Sequence, residues 1–316
     1  MNAPQSAAFE EGTQMKFSLI ISTLGRPADV LEFIRTIEAQ TCRDFELIIV
    51  DQNDDDVLAN AVQTLSPAFP LKYRHVPGVR GASRGRNLGF ELAEGDYVCF
   101  PDDDCLYPPR VLDDALALFA KKGSDIVCGR AADETGRDIN GRYEQQAQPV
   151  TATNVFSTQI EWMLFFTRSA FEGVSGFDED VGVGASTPWQ ANEGQDIVLR
   201  MLARGYRGWY DPALYAHHPE LNVFSPDARM RRKARGYARG MGYVLGRHGY
   251  SFGYFARAVV RSAGGAALSC LRLNFPRALY YLHVATGRIE GYLSGRRSGA
   301  YRAKVGDATS ESRQAA

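Results

Sequence analysis

Strand-like apolar runs alternate with helix-like stretches along residues 16–129, and this alternation restricts the fold more than any other feature of the sequence. A run rich in Ile, Val and Leu predicts a strand, and apolar residues three and four apart predict a helix. The predicted strands are 16–22, 45–51, 71–76, 96–100 and 125–129, and the predicted helices are 28–40, 57–65, 83–94 and 110–121. Strands joined through helices form right-handed crossovers and a mainly parallel sheet. We therefore predict an α/β, Rossmann-like fold with helices flanking the sheet.

Charge divides the 316 residues into an acidic and a basic part. Residues 1–224 carry 19 Lys and Arg against 33 Asp and Glu, a net charge of −14, whereas residues 225–304 carry 16 against 2, a net charge of +14. A chain of this length is long for one hydrophobic core. We therefore predict a disordered segment over 1–15, an α/β domain over 16–224, a basic helical region over 225–304 and a disordered tail over 305–316.

The cysteines and the lack of long apolar segments indicate in which cellular compartment the protein resides. The five cysteines show no C-x-x-C spacing, which disfavours a disulfide framework or zinc knuckle and favours a reducing environment. The first 15 residues contain acids and no apolar core of a signal peptide. We find no run of about 18 uncharged apolar residues, so we expect no transmembrane helix. These features predict a cytoplasmic protein.

The basic region contains two uncharged runs of ten residues, 262–271 and 278–287, separated by Arg272 and Arg277. Such runs are too short to span a bilayer but suit its interface, where arginines contact headgroups. We therefore expect peripheral attachment to the inner face of a membrane. The alternative is a helical subdomain that packs on the sheet or on a second protomer. The region carries no nucleic-acid-binding motif, so we expect no nucleic-acid partner.

Polar residues follow three of the predicted strands at their carboxyl ends. Thr23 follows the first strand, Asp51 ends the second, and the run 102–104, three aspartates, follows the fourth. Parallel α/β sheets bind ligands at this edge. The sequence has neither a G-x-G-x-x-G loop after the first strand nor a P-loop. A divalent metal held by carboxylates would neutralise the phosphates of a nucleotide instead.

The three adjacent aspartates are the strongest single site signal. Their mutual repulsion would be relieved by Mg²⁺ or Mn²⁺, which prefer such hard oxygen ligands. The alternative is a solvated acidic turn or a helix N-cap. The position directly after an apolar strand favours the metal site. Asp51 in turn is suited to accept a hydrogen bond from a pyrimidine N3–H, or is a turn residue only.

Three segments in order carry a resemblance to a known family: SLIISTLGRP at 18–27, FELIIVDQNDDD at 45–56 and SRGRNLGFELAEGDYVCFPDDD at 83–104. Together they resemble the family 2 glycosyltransferases of the GT-A fold, over roughly residues 16–220. The resemblance implies transfer of a sugar from a nucleotide-diphosphate donor, with UDP-sugar the expected donor. It further implies inversion, a Mg²⁺ or Mn²⁺ cofactor and a role in glycan or polysaccharide synthesis. The acceptor would be the hydroxyl of a glycan, a lipid-linked sugar or another molecule.

The resemblance also implies roles for single residues. The family's D-x-D element corresponds to Asp102 and Asp104, which would meet the ribose and the metal. Asp51 would contact the base, and Arg86 matches the arginine of the A-R-N-x-G pattern. The expected nucleotide contacts are Thr23, Asp51, Arg86, Asp102 and Asp103.

A second block, residues 176–200, resembles the family's acidic element before a helix. Glu193 and Asp196 match its first and last acids, but the acid that the family generally uses as catalytic base falls on Gly194. Inverting transfer needs a carboxylate that takes the acceptor proton. We expect Glu193 to be this base and Asp196 to cap or orient the helix, with the reverse assignment open. The alternative is that both acids only stabilise the helix start.

Two further site predictions concern aromatic and imidazole groups. Trp189 follows a glycine-rich segment and would stack on the acceptor sugar, or it is a core residue. His217 and His218 follow a strand-like run and match the place where a histidine completes the metal shell in many GT-A enzymes. The sequence does not choose between the two histidines.

Two other functions remain open at this point. A sugar nucleotidyltransferase shares the α/β sheet, but it needs a glycine-rich basic loop after the first strand, of which the segment 22–26 supplies little. An inactive nucleotide- or glycan-binding relic is the non-enzyme alternative, and Gly194 at the expected base position supports it.

Overall fold

The computed structural model describes residues 16–220 and 224–298. The predictions of disorder for 1–15 and 305–316 concern segments outside the described residues. The strands of the described part are β1 (Phe17–Thr23), β2 (Phe45–Asp51), β3 (Leu71–His75), β4 (Tyr97–Cys99), β5 (Ile126–Ala131), β6 (Gln148–Val150), β7 (Leu164–Thr167) and β8 (Gly208–Ala216). The helices are α1 (Pro27–Ile37), α2 (Val57–Gln63), α3 (Ala82–Phe90), α4 (Val111–Lys122), α5 (Arg168–Gly173), α6 (Glu193–Ala203), α7 (Ala228–Arg247), α8 (Phe252–Leu271) and α9 (Phe275–Arg297).

The strands form one sheet in the order β3-β2-β1-β4-β7-β5-β8-β6. Strands β1 to β5 and β8 run parallel, and β7 and β6 run antiparallel to them. All seven residues of β2 are buried, as expected for a central strand whose two faces are covered by helices. The predicted α/β class and mainly parallel sheet are confirmed.

The antiparallel strand β7 was not predicted, and it positions part of the site. It pairs with β4 on one side and β5 on the other. Because β7 runs in the opposite direction, the segment before it lies at the edge where β4 ends. That segment is a short 3-10 helix, Glu161–Met163. The carboxyl end of β8 reaches the same edge, because β8 runs parallel to β5.

The basic region folds into α7, α8 and α9, of which α7 and α9 pack backbone to backbone. A Cβ on Gly242 would lie 2.2 Å from the carbonyl oxygen of Arg288, and one on Gly291 would lie 2.0 Å from that of Arg239. These distances are far below van der Waals contact, so only glycine permits this approach of the two helices. Within 16–220 and 224–298, no helix is both long and apolar enough to cross a membrane.

A salt bridge and a buried hydrogen bond attach the end of α7 to the α/β part. Arg247 near its end pairs with Asp178, and His248 just beyond it lies 2.7 Å from Asp196 of α6. The helical region thus packs against the α/β part, as one of the two sequence alternatives expected. Much of the surface of α8 and α9 nevertheless stays exposed and apolar.

Candidate active site

A cavity of about 830 Å³ opens at the carboxyl edge of the sheet. Loops after β1, β4 and β8, the 3-10 helix and the start of α6 form one side of it. Helices α7 and α9 form the other side, which the sequence did not predict. The helical residues at the cavity are Lys233, Ala234, Tyr237, Ala238, Met241, Tyr280, Val284 and Arg288.

Asp102, Asp104 and His218 form a cluster with the geometry of a metal site. One ligand atom from each lies within 4.8 Å of the other two. The buried Asp104 Oδ1 lies 2.9 Å from His218 Nε2. Two carboxylates and an imidazole are a donor set that suits Mn²⁺ or Mg²⁺. The residues present therefore fit the expected cation.

The structure separates the two histidines. The His218 ring stacks on Trp162, with centroids 5.3 Å apart, which fixes its Nε2 towards Asp104. The His217 Nδ1 atom instead lies 2.8 Å from the carbonyl oxygen of Ala132, and the His217 backbone pairs with Leu106. The sequence-based candidate His217 is therefore corrected: its ring is held away from the aspartates.

We expect His218→Ala to weaken Mn²⁺-dependent nucleotide binding by about tenfold or more, because even supporting groups around a metal are worth 10–100-fold in affinity. His217→Ala is the matched control and should change this binding by less than about twofold. Isothermal titration calorimetry with Mn²⁺ and UDP or GDP measures both. Equal losses in the two variants would contradict the assignment.

The middle aspartate of the run has a different environment from its neighbours. Asp103 Oδ2 accepts a hydrogen bond from Thr23 Oγ1 at 2.7 Å, and Arg26 Nη1 lies 3.1 Å from its Oδ1. Burial raises the pKa of Asp103 to about 6. Thr23 itself is buried and does not line the cavity, and its hydroxyl contacts the site through Asp103.

Arg86 joins the two acidic elements of the cavity. Its Nη2 donates to Asp102 Oδ1 at 2.9 Å, and its Nη1 donates to Glu193 Oε1 at 3.1 Å. The guanidinium is buried, and it lies over the ring of Phe177, 5.5 Å from the centroid. The structure therefore brings the predicted residues Arg86, Asp102 and Glu193 together.

Glu161, from the 3-10 helix, is a cavity carboxylate that sequence reasoning missed. Burial, followed by the charge of Glu193, raises the pKa of Glu161 to about 8. Burial likewise raises the pKa of Glu193, against the opposing effect of Arg86. In the sequence, Glu161 is an acid directly before the apolar run 162–166. That pattern does not show that Glu161 lies at the cavity, because this depends on β7 running antiparallel to its neighbours.

Asp196 is the sequence-based alternative for the base, and the structure does not bring it to the cavity. Both of its oxygens are engaged: Oδ2 lies 2.8 Å from Arg200 Nε and Oδ1 lies 2.7 Å from His248 Nε2. Burial opposes its charge, but the hydrogen bond from His248 and the charge of Arg200 lower its pKa to about 2. Asp196 joins α6 to the end of α7, and this corrects its assignment to the catalytic pair.

Asp51 and Trp189 also lie off the cavity surface. Asp51 is fully buried, with Oδ1 accepting from Asn53 and Oδ2 accepting from Tyr73. Both oxygens of Asp51 thus already accept hydrogen bonds from within the protein. Trp189 stacks face to face on Tyr243, with centroids 4.4 Å apart. Its expected role in stacking on the acceptor is corrected, because this contact belongs to the packing of α7.

Comparison with solved structures identifies the class to which this fold belongs. A mannosyltransferase, PcManGT from Pyrobaculum calidifontis, solved in complex with GDP-Man and Mn²⁺, superimposes with a TM-score of 0.60 at 18% identity, covering 91% of this chain and 90% of that one. Residues 1–349 of Staphylococcus aureus TarS in complex with UDP-GlcNAc give a TM-score of 0.52 at 16% identity, covering 91% and 93%. The fold is that of the GT-A glycosyltransferases.

The sequence comparisons identify the family within that class. The profile described as "Glycosyl transferase family 2" matches residues 18–175, half of the sequence. The chain belongs to glycosyl transferase family 2. An uncharacterized glycosyltransferase of Bacillus subtilis, YwdF, is 26% identical over 172 residues, which are 53% of this chain and 63% of that protein. The predicted resemblance is confirmed.

Proposed function

We propose that this chain transfers a sugar from a nucleoside-diphosphate donor, a UDP-sugar, to an acceptor hydroxyl with inversion at the anomeric carbon. The observation that carries this proposal is the convergence of Asp102, Asp104 and His218 at the mouth of a cavity large enough for a nucleotide sugar. The structural neighbours solved with GDP-Man and UDP-GlcNAc support a donor of this class.

The donor side of the proposed site is the sheet edge. Asp102, Asp104 and His218 would hold Mg²⁺ or Mn²⁺, which supplies positive charge to the leaving diphosphate. Arg86 fixes Asp102 by its hydrogen bond at 2.9 Å, and Arg26 pairs with Asp103 and Asp104. These contacts hold the carboxylates in place before the donor binds, so that little reorganisation is needed in the reaction.

The acceptor side is the wall made by α7 and α9. Tyr237 and Tyr280 present rings to the cavity, and Lys233 and Arg288 add positive charge. Aromatic faces suit sugar rings, and the positive charge suits an acceptor with an anionic group. We therefore place the acceptor, in glycan or polysaccharide synthesis, between these helices and the start of α6.

A screen of UDP- and GDP-sugars with Mn²⁺ tests the proposed function. A donor at about 100 times its dissociation constant stabilises the fold by roughly 2.7 kcal/mol, which a thermal-shift assay detects. The proposal expects Mn²⁺-dependent stabilisation and slow release of free sugar from the same donor, both lost with EDTA. Pyrophosphate-dependent exchange without sugar release would instead identify a nucleotidyltransferase. Binding without any turnover would identify a relic.

We also propose that the hairpin of α8 and α9 attaches the protein to an anionic lipid surface. Its tip carries three strongly exposed apolar residues: Leu271, Leu273 and Phe275 are 82%, 77% and 59% exposed. Exposed arginines, among them Arg261 and Arg272, lie on the same hairpin. Apolar side chains at a tip beside arginines complement a bilayer whose headgroups are negative.

The double variant Leu271→Glu, Leu273→Glu should lower binding to phosphatidylglycerol-containing vesicles by at least about tenfold. Burying one leucine is worth about 1.5–3 kcal/mol, and the added charges are repelled by the lipid. Val57→Glu, at an exposed position of α2, is the control and should bind as the parent does. Vesicle sedimentation measures both. Unchanged binding of the double variant would place the membrane contact elsewhere or exclude it.

A further inference from the structure

The carboxylates of the cavity differ in their cation partners. In the described part of the chain, six carboxylates line this cavity: Asp102, Asp103, Asp104, Glu161, Glu193 and Glu220. Five pair with an arginine: Asp102 and Glu193 with Arg86, Asp103 and Asp104 with Arg26, and Glu220 with Arg137. Among residues 16–220 and 224–298, Glu161 has no such salt bridge. A carboxylate without a cation beside it keeps a higher proton affinity than one that is paired.

The absence of a side chain at Gly194 leaves the space that the Glu161 side chain occupies against the start of α6. A Cβ at position 194 would lie 2.8 Å from Glu161 Cγ and 3.0 Å from Leu164 Cδ1. Both distances are shorter than ordinary van der Waals contact, so any larger residue would displace the Glu161 side chain. The first turn of α6 therefore lacks its own side chain at this point and holds that of Glu161 instead.

Glu161 also lies within the electrostatic reach of the donor side. Glu193, Arg86 and Asp102 all act on its charge. The side chain thus lies against the start of α6, in the same cavity as the proposed metal cluster. Glu193, in contrast, is tied to Arg86 at 3.1 Å and through it to Asp102.

We infer that Glu161 is the catalytic base of the transfer and that Glu193 is a positioning residue that orients Arg86. This inference rests on the proposed function. In the reaction, the acceptor oxygen bonds to the anomeric carbon while the bond from that carbon to the donor phosphate oxygen breaks. The nucleoside diphosphate leaves with the bonding electrons. The acceptor proton passes to a carboxylate oxygen of Glu161 and from there to solvent.

The test uses water and azide as acceptors, so the natural acceptor need not be known. Water carries a proton that a base must take, whereas azide is an anion without a proton. With the full chain, Mn²⁺ and the donor found in the screen, Glu161→Gln should lower transfer to water by about 10²–10⁴-fold, the usual range for a general base. Transfer to azide, measured as glycosyl azide, should stay within about threefold of the parent, as should donor affinity.

Three further variants sharpen the comparison. Glu172→Gln, at an exposed position of α5 away from the cavity, is the control and should keep both reactions within about twofold. Gly194→Ala displaces the Glu161 side chain and should lose transfer to water while it keeps transfer to azide. Glu193→Gln should weaken donor binding and lower both reactions together, because its effect runs through Arg86.

The outcomes separate this inference from the proposed function. If Glu161→Gln retains transfer to water within about threefold, or loses transfer to azide equally, Glu161 is not the base and the transferase function stands. If Glu193→Gln is the variant that azide rescues, the base is Glu193. If the parent protein releases sugar from no donor and gives no glycosyl azide, the proposed function fails and the inference fails with it.

Discussion

Asp104→Ala is expected to abolish Mn²⁺-dependent nucleotide binding and to lower donor turnover by about 10²–10³-fold or more. The substitution removes one of the three groups of the cluster, so that Asp102 and His218 remain among the described residues to hold the cation. Loss of one electrostatic contact in an active site typically has an effect of this size. Titration calorimetry with UDP, with and without Mn²⁺, measures the binding, and release of sugar measures the turnover.

This variant should still fold. Asp104 sits at the end of the sheet and not in the core, so its removal costs the pairings with Arg26 and His218 but creates no cavity in the core. Asp114→Ala, at a half-exposed position of α4 that pairs with Arg110, is the control and should change neither binding nor turnover. Unchanged Mn²⁺-dependent UDP binding in Asp104→Ala would overturn the metal assignment.

The α/β half of the fold was predictable because each strand and helix is indicated by the apolar pattern of its own residues. The predicted strand 45–51 coincides with β2, and the predicted helix 110–121 differs from α4 by one residue at each end. Each strand–helix unit encodes its own apolar pattern, and the handedness of the crossover is fixed by general rules. The aspartates of the site begin three residues after the end of β4, so predicting the strand also predicted their place at the sheet edge.

The parts that were not predicted depend on contacts between distant segments. Glu161 reaches the cavity only because β7 inserts antiparallel between β4 and β5, and a four-residue strand does not reveal its direction. The choice of His218 over His217 depends on stacking with Trp162, 56 residues earlier in the chain. A pair of adjacent histidines gives no such information by itself.

The role of the basic region was the largest difference between expectation and structure. Its charge indicated a separate surface, but α7 and α9 also complete the cavity wall. This arrangement depends on glycines such as Gly242 and Gly291, at which the two helices approach to backbone contact. Glycine inside a helix normally lowers the stability of that helix, so the sequence analysis assigned these glycines no structural role.

The second large effect is expected on stability, from Asp196→Ala. Asp196 is fully buried and pairs with Arg200 and His248. Removing one partner of a buried ion pair typically costs about 3–5 kcal/mol, because the other charge stays buried without its partner. Arg200 keeps hydrogen bonds to the carbonyl oxygens of Val174 and Gly176, so the variant should still fold. Urea denaturation at pH 7 measures the loss.

The matched control is Asp180→Ala, at an exposed position of the loop before α6, which should change the free energy of unfolding by less than about 0.5 kcal/mol. The folded fraction of Asp196→Ala should retain turnover within a few-fold of the parent, because Asp196 lies off the cavity surface. An inactive but stable variant would restore Asp196 as a catalytic residue.

The pairing of Asp196 with Arg200 and His248 also predicts how the free energy of unfolding depends on pH. The pKa of Asp196 is lowered to about 2 in the folded chain, against about 3.9 for an unfolded aspartate. A group whose pKa is lower in the folded state stabilises it above the unfolded value, and this contribution disappears as the pH falls through the folded value. The stability difference between the parent and Asp196→Ala should therefore be constant above about pH 5 and shrink between about pH 4 and pH 2. A difference that stays constant across that interval would show that packing, and not the carboxylate charge, joins α6 to the end of α7.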